Sequence, residues 1–438
     1  MKYKIFFQSL IIGFILCNHA YAQEVLTVED AVKIALENNY DIKIAANDLK
    51  IDERNVSLGN AGMLPNLKAT ITNNNNRTNS SQTQADGTVR NLDGAKNNSL
   101  GYGVTLGWTV FDGFKMFAKH EQLRELQKLG ETELKGVILT KISDVITTYY
   151  DLVQQEQQLT ALDTAISISK LRLTTAENRY TIGKASKLEV LNAQVDINTD
   201  TTTLLRQKEL NANTKILLNQ ILAREPNTSF SVVDTIVVDR ALLLPELTSR
   251  AEQQNPQLQI AVVNKRVLEL QLKQVKANRY PTINLTSGYN YNETESSLGF
   301  TSQTSSRGLN YGFNASLNLF DGLAQRRNEK VAHLMIENSQ IVLDQQKQAI
   351  VTQLSTSYQT YLTNLQLTEL EQRNEAIAKQ NLEITMEKYR IGTIAPLEFR
   401  TAQLNYVNAR VRNSNAQFQA KLSEISLKEL AGNIDLIK

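Results

Sequence analysis

The chain is built from two copies of one half, and this duplication restricts its possible folds more than any other feature. Phe111-Asp112-Gly113 returns as Phe320-Asp321-Gly322, and Tyr180-Thr181-Ile182-Gly183 as Tyr389-Arg390-Ile391-Gly392, both 209 positions later. At the same offset Tyr149 matches Tyr358, Leu188-Glu189 matches Leu397-Glu398, and Ala193-Gln194 matches Ala402-Gln403. Upstream, Asn39 matches Asn255 and Pro65 matches Pro281 at an offset of 216, so the first copy carries 7 extra residues between Pro65 and Phe111. That stretch is rich in Asn, Ser, Thr and Gly, the composition of a surface loop of variable length. A period this long is not a solenoid unit. Each copy reads helix, strand, loop, strand, very long helix, tight turn, helix.

The strands alternate. Tyr102, Val104, Leu106, Trp108 and Val110 are separated by Gly103, Thr105, Gly107 and Thr109. In the second copy Leu309, Tyr311, Phe313, Ala315, Leu317 and Leu319 alternate with Asn310, Gly312, Asn314, Ser316 and Asn318. Their partners follow Pro65 (Leu67, Ala69, Ile71) and Pro281 (Ile283, Leu285, Ser287, Tyr289). Period two with one apolar, aromatic face over about ten residues fits a tilted transmembrane strand. It also fits a half-buried strand of a soluble sandwich. Four strands cannot close a barrel alone, because about eight is the minimum, and open edges do not survive in lipid. The membrane reading therefore requires several copies of the chain. Residues 73–99 and 292–308 are expected to be long exposed loops.

The helices are the second constraint. Only six prolines occur, and 114–181 holds none, with Gly130 and Gly136 its only glycines. Residues 323–391 hold neither Pro nor Gly. An interior Pro costs roughly 3 kcal/mol, so these tracts can run unbroken, at about 1.5 Å per residue. Ile142, Val145, Tyr149, Leu152, Leu159, Leu162, Ile166 and Leu173 fall at heptad-like spacings. Such a narrow apolar stripe on a polar helix needs neighbours along its whole length. Gly183 and Gly392 break the tracts, and Pro396 suits the first turn of a new helix. Each copy thus ends in a helical hairpin with a glycine at its tip.

Residues 1–22 read as a secretory signal peptide: Lys2 and Lys4, an apolar stretch at 10–16, and Ala20-Tyr21-Ala22 as cleavage site. The apolar stretch is too short to span a bilayer. Phe14-Ile15-Leu16 before Cys17 lacks the small residues that lipoprotein processing requires. Removal of this segment takes the single cysteine, leaving His120 and His333 as the only histidines. Cysteine nucleophiles, disulfides and cysteine-based metal sites are then excluded. No Gly-rich phosphate loop and no metal-ligand spacing is present. The expectation is no enzyme, no catalytic residue, no metal and no cofactor. A net charge of +2 gives no reason to expect nucleic acid. With 41% hydrophobic and 21% charged residues, composition alone does not signal a membrane protein.

Taken together, the doubled strand and helix hairpins, the Phe-Asp-Gly after the second strand of each copy and the Tyr-x-x-Gly tips resemble the TolC family of outer-membrane efflux and secretion ducts. The resemblance covers essentially the whole chain after residue 22. It implies a mixed α+β membrane protein, mostly α. As a homotrimer it would form a 12-stranded β-barrel, four strands per chain, in outer-membrane lipid of a Gram-negative bacterium. A coiled-coil helical tunnel would cross the periplasm, with a small mixed equatorial belt. On this basis the first repeat covers 23–222, with its strand hairpin at about 67–111 and tip at 183. The belt segment is 223–244, the second repeat 245–430, with its strand hairpin at about 283–320 and tip at 392, and 431–438 is a tail joining the belt. The expected function is passive export of small molecules or proteins, in a tripartite efflux or type I secretion system. A periplasmic adaptor and an inner-membrane pump of RND, ABC or MFS type would be its partners.

The family's tip residues carry over individually. Gly183 and Gly392 match the tip glycines of the adaptor contact. Glu398 matches the first acidic position of the closed entrance, Glu189 is its counterpart in the first copy, and Tyr389 matches a tyrosine of the gate network. Thr401 stands where a second acid is usual, so one acidic ring is expected. Ile394 stands where an arginine is usual, which leaves Arg390, Arg400 and Lys187 as candidates to latch the gate. A secreted coiled-coil stalk or adhesin is the competing reading. It accounts for the heptads and the Asn/Thr-rich segments, but gains nothing from duplication.

Overall fold

The computed structural model describes residues 24–297 and 301–434. The signal peptide expected at 1–22 and the last residues of the expected tail, 435–438, lie outside them. The element order is β1 (Glu24–Leu26), α1 (Val28–Asn38), α2 (Tyr40–Asn55), β2 (Asn66–Thr83), β3 (Val89–Asp112), α3 (Lys115–Thr181) and α4 (Lys187–Ile221). It continues with β4 (Phe230–Val232), α5 (Leu244–Gln254), α6 (Pro256–Ala277), β5 (Thr282–Ser296), β6 (Gln303–Ser316), α7 (Ala324–Ile391) and α8 (Pro396–Leu430). The chain forms two compact units. One comprises Asn47–Glu133 and Gln259–Gln346, and the other comprises Met1–Ala46, Leu134–Leu258 and Lys347–Lys438.

The first unit holds an antiparallel sheet in the order β2-β3-β5-β6. Its register stacks like on like: Val104 faces Tyr289, Trp108 faces Leu285, and Leu285 faces Phe313. Cross-strand pairs of this kind stabilise the sheet. The strands are longer than the alternation indicates, at 18, 24, 15 and 14 residues. The polar stretch 73–99, expected as a loop, is mostly paired backbone, with Asn74 opposite Ser99 and Asn76 opposite Asn97. Much of 292–308 is likewise strand. Side-chain polarity reports environment, whereas ladder hydrogen bonds are made by backbone, so pairing continues where the apolar face stops. β6, in contrast, ends early. Its partner β5 begins at Thr282, which pairs with Ser316, so Leu317, Leu319 and Phe320 have no strand partner among the described residues.

The Phe-Asp-Gly repeat is a strand-to-helix joint. Asp112 Oδ1 accepts from the Met116 amide at 3.2 Å, and Asp321 Oδ2 accepts from the Gln325 amide at 2.7 Å, supplying helix N-terminal donors with an acceptor. The next two residues of each joint, Gly113-Phe114 and Gly322-Leu323, all have φ between 66° and 69°. The left-handed conformation suits glycine and strains Phe and Leu.

A second repeated device sits in the other unit. Asn39 Oδ1 accepts from the Asp41 and Ile42 amides, while its Nδ2 donates to Ile221 O at 2.8 Å. Asn255 Oδ1 accepts from the Leu258 amide, and its Nδ2 donates to Leu430 O at 2.9 Å. Each asparagine thus caps the start of one helix and the last turn of another. The main apolar core of this unit gathers Leu26, Val32, Val145, Tyr149, Leu152, Leu218, Leu222, Phe230 and Ile425. β1 and β4 pair in parallel beside it. The buried Tyr149 hydroxyl donates to Leu26 O at 2.9 Å and accepts from the Val233 amide at 3.1 Å. Its repeat mate Tyr358 donates to Leu242 O at 3.2 Å. The two tyrosines hold β1 and the segment after β4 against the long helices.

Among the described residues no helix is long and apolar enough to cross a membrane. α3 runs for 67 residues, through Gly130, where a Cβ would lie 2.6 Å from Asp52 Oδ2. Glycine there permits a close approach of α2.

Candidate functional site

Both tips end in the same way. The Gly183 amide donates to Tyr180 O at 2.9 Å and the Lys184 amide to Arg179 O at 2.7 Å. The Gly392 amide donates to Tyr389 O and the Thr393 amide to Lys388 O, both at 3.0 Å. These paired bonds form the Schellman arrangement, which requires a left-handed residue. The glycines have φ of 74° and 83°. A Cβ at Gly183 would meet nothing within 4 Å, and at Gly392 only Arg179 Nη2, at 3.6 Å. Bare backbone is therefore presented at each tip. α4 then starts from Ser186, whose Oγ accepts from the Glu189 amide, and α8 starts with Pro396 at its first turn.

Across the tips the second hairpin leans on the first. The Tyr389 hydroxyl donates to Glu189 Oε1 at 3.1 Å. Arg179 completes the group, 3.7 Å from Glu189 and with its guanidinium 5.7 Å from the Tyr389 ring centre. Phe399 stacks on Tyr389, with centroids 4.9 Å apart and planes 9° from parallel. Burial raises the Tyr389 pKa, and the Glu189 carboxylate adds to the rise. The tyrosine is therefore a neutral donor at physiological pH. Glu398 is placed differently. It is exposed on the first turn of α8, and no hydrogen bond or ion pair engages its carboxylate among the described residues.

The three candidates for the missing arginine part company. Arg390 is exposed and, among the described residues, pairs only with Glu387, at 3.7 Å. Lys187 lies over the Tyr180 ring at 5.4 Å. Arg400 is buried and binds Asp200 through both terminal nitrogens, each at 2.8 Å. It also contacts Gln403 Oε1 at 3.2 Å, and its Nε lies 3.5 Å from Asp196. Asp200 further accepts from Ser169 Oγ, Asp196 pairs with Arg172, and Gln403 Nε2 donates to Ala165 O and Ser169 Oγ. Burial opposes the Arg400 charge, but the two carboxylates outweigh it and its pKa is raised. This polar knot joins α3 and α4 of the first hairpin to α8 of the second. Sequence reading named Arg400 as a latch candidate and Gln403 only as a repeat match. No local signal marks the burial of Arg172 and Asp200 or the half-burial of Asp196. Arg179 was also missed, although it directly precedes Tyr180.

A profile of the family described as "Outer membrane efflux protein" matches residues 31–224 and 247–433. The chain is 23% identical to the protein CyaE of Bordetella pertussis over 346 residues, 78% of this chain and 72% of that one. It is 20% identical to the outer membrane protein TolC of Escherichia coli over 360 residues, 79% of this chain and 72% of that one. Its fold matches that of the CmeC outer membrane channel of Campylobacter jejuni with a TM-score of 0.75 at 18% identity, covering 92% of this chain and 85% of that one. The profile runs through both repeats and reaches both tips, and this chain therefore belongs to the outer membrane efflux protein family, the ducts of the Gram-negative outer membrane.

Proposed function

We propose that three copies of the chain close one barrel of twelve strands, and that their six helical hairpins line a water-filled passage. The observation that carries this reading is the sheet itself. It has four strands, an apolar face that includes Tyr102, Val104, Trp108, Tyr289, Tyr311 and Phe313, and unpaired outer edges on β2 and β6. Open edges are untenable in lipid, while an exposed apolar and aromatic row is untenable in water and is what lipid covers on a barrel. Pairing of β6 with β2 of the next copy closes the edges and gives Leu317, Leu319 and Phe320 a partner, and lipid covers the aromatic face. The helices support the same assembly: Leu370, Ile377, Ile384 and Ile391, seven residues apart on α7, are all exposed in the single chain. A heptad stripe of this kind calls for a neighbouring helix.

Transport in this reading is passive. An inner-membrane pump of RND, ABC or MFS type supplies the energy, and a periplasmic adaptor seats on the bare backbone at Gly183 and Gly392. Cargo reaches the duct through that complex and comprises small molecules or proteins. At the entrance Tyr389 and Glu189 fasten the two hairpins of each chain, and three Glu398 carboxylates form an acidic constriction that favours cations by focusing the field. The test is electrophoresis of the detergent-extracted outer membrane with and without heating. A trimer-sized band that collapses to monomer on heating supports the assembly, and a soluble periplasmic monomer refutes it. For the constriction, Glu398→Ala channels in planar bilayers must lose cation selectivity, and unchanged selectivity rejects that role.

A further inference from the structure

The repeat assigns each residue of one tip a mate in the other, and the contacts of a single chain use only half of what this symmetry offers. Tyr389 corresponds to Tyr180, and Glu189 to Glu398, at the same offset of 209. Within the chain the second-copy tyrosine donates to the first-copy glutamate, Tyr389 to Glu189, at 3.1 Å. The reciprocal pair, the first-copy Tyr180 and the second-copy Glu398, is apart and open. Tyr180 is 46% exposed where Tyr389 is 3% exposed. Neither the Tyr180 hydroxyl nor the Glu398 carboxylate has a hydrogen-bond partner among the described residues.

In a closed ring of alternating half-copies, the junction from first to second copy lies inside a chain. The junction from second to first copy lies between chains. Closed cyclic symmetry repeats both junctions at every subunit. We infer that Glu398 of one protomer accepts a hydrogen bond from Tyr180 of the neighbouring copy, so that Tyr–Glu contacts within chains alternate with identical contacts between chains around the entrance. The inference rests on the trimeric duct proposed above. It is compatible with an acidic constriction, because a carboxylate has acceptor capacity beyond one hydroxyl.

The two junctions have the same central bond and different surroundings. Inside the chain the bond is backed by Arg179, by the Phe399 ring and, further along, by the buried Arg400–Asp200 pair. At the equivalent positions the seam has Lys388, Val190 and Leu191. A lysine lacks the flat fork that stacks on a ring and binds a carboxylate at once, valine cannot stack on a tyrosine, and the mates of Arg400 and Asp200 are Leu191 and Ala409, which form no ion pair. The seam is therefore the weaker junction. The aperture opens between chains, at Tyr180 and Glu398, while the two hairpins of one chain stay together.

The test introduces Tyr180→Cys and Glu398→Cys together into the full-length chain and treats outer membranes with a short bifunctional thiol reagent. Heated samples of the double variant are expected to contain covalent trimer, because each copy carries both ends of the link. Glu398→Cys alone joins at most two copies, and Tyr180→Cys alone behaves likewise. Absence of covalent trimer, in membranes whose unheated sample still shows the trimer band, overturns the inference and leaves the duct reading intact. Loss of that band in the parental chain overturns the duct reading itself. A second measurement avoids cysteine: Tyr180→Phe and Glu398→Ala, each of which removes one partner of the bond, are each expected to raise single-channel conductance by a similar factor. The double variant is then expected to go no further than either single one. Conductance effects that multiply independently reject the pair.

Discussion

Replacing Arg400 tests the buried knot directly. Its side chain and that of Asp200 are each 10% exposed, and two bonds of 2.8 Å join them. Arg400→Met leaves Asp200 with the Ser169 hydroxyl as its remaining partner and strips one cation from Asp196. A buried carboxylate without its cation costs about 3–5 kcal/mol, whereas exchanging both partners for apolar side chains of similar volume is close to neutral. Arg400→Met is therefore expected to lose about 3–5 kcal/mol per chain. Arg400→Met with Asp200→Leu should recover most of that loss. The assay is denaturant unfolding of the far-ultraviolet helix signal in detergent, at one fixed protein concentration because assembly contributes to stability. Two results refute the reasoning: a midpoint for Arg400→Met equal to that of the parent, or a double variant as unstable as the single one. The first means the knot is wet and the pair behaves as a surface bridge. The second means that packing, not charge, holds α8 in place.

Three further outcomes follow from the same geometry. Gly113→Ala places a Cβ 2.3 Å from Ala277 O at a φ of 69°, whereas Gly183→Ala meets nothing within 4 Å. Gly113→Ala should abolish the heat-sensitive trimer band, and Gly183→Ala should keep it at a cost of about 1–2 kcal/mol for the left-handed backbone. Asp112→Ala and Asp321→Ala each remove an N-terminal helix acceptor and should lower stability by about 1 kcal/mol apiece, additively, as read from unfolding midpoints. Arg279 grips Glu329, with Gln325 assisting, and holds its carboxyl at about 2, below the usual 4.5. A depressed carboxyl stabilises the fold above its unfolded value, and that stability is lost as pH falls through the folded one. The melting temperature should therefore exceed that of Glu329→Gln at pH 7, with the gap closing as pH falls from about 4.5 to about 2. A gap that does not change with pH rejects this account.

The element types were legible because they are local. Period two around Tyr102 and Leu309, heptads around Tyr149, the lack of proline in the long tracts and glycine at 183 and 392 each act within one or two turns of chain. The duplication added arrangement, since two matched halves with two open strands each imply a ring. What escaped the sequence is contact between distant residues. Polar residues 73–99 read as a loop because side-chain chemistry suggested water, yet backbone pairing is indifferent to that chemistry.

Two further features were decided only by tertiary structure. The Asn39 and Asn255 caps were visible as a repeat and mute as to purpose, because their second partners, Ile221 and Leu430, lie over 170 residues away. Arg400, Asp200, Arg172 and Asp196 are ordinary helix residues in one dimension, and only the docking of α8 on α3 and α4 buries the first three and half-covers Asp196. The sequence by itself settled where the long helices and the apolar centres of the strands fall and that they occur twice. The tertiary structure decided which charges are buried, because burial depends on what another part of the chain brings alongside.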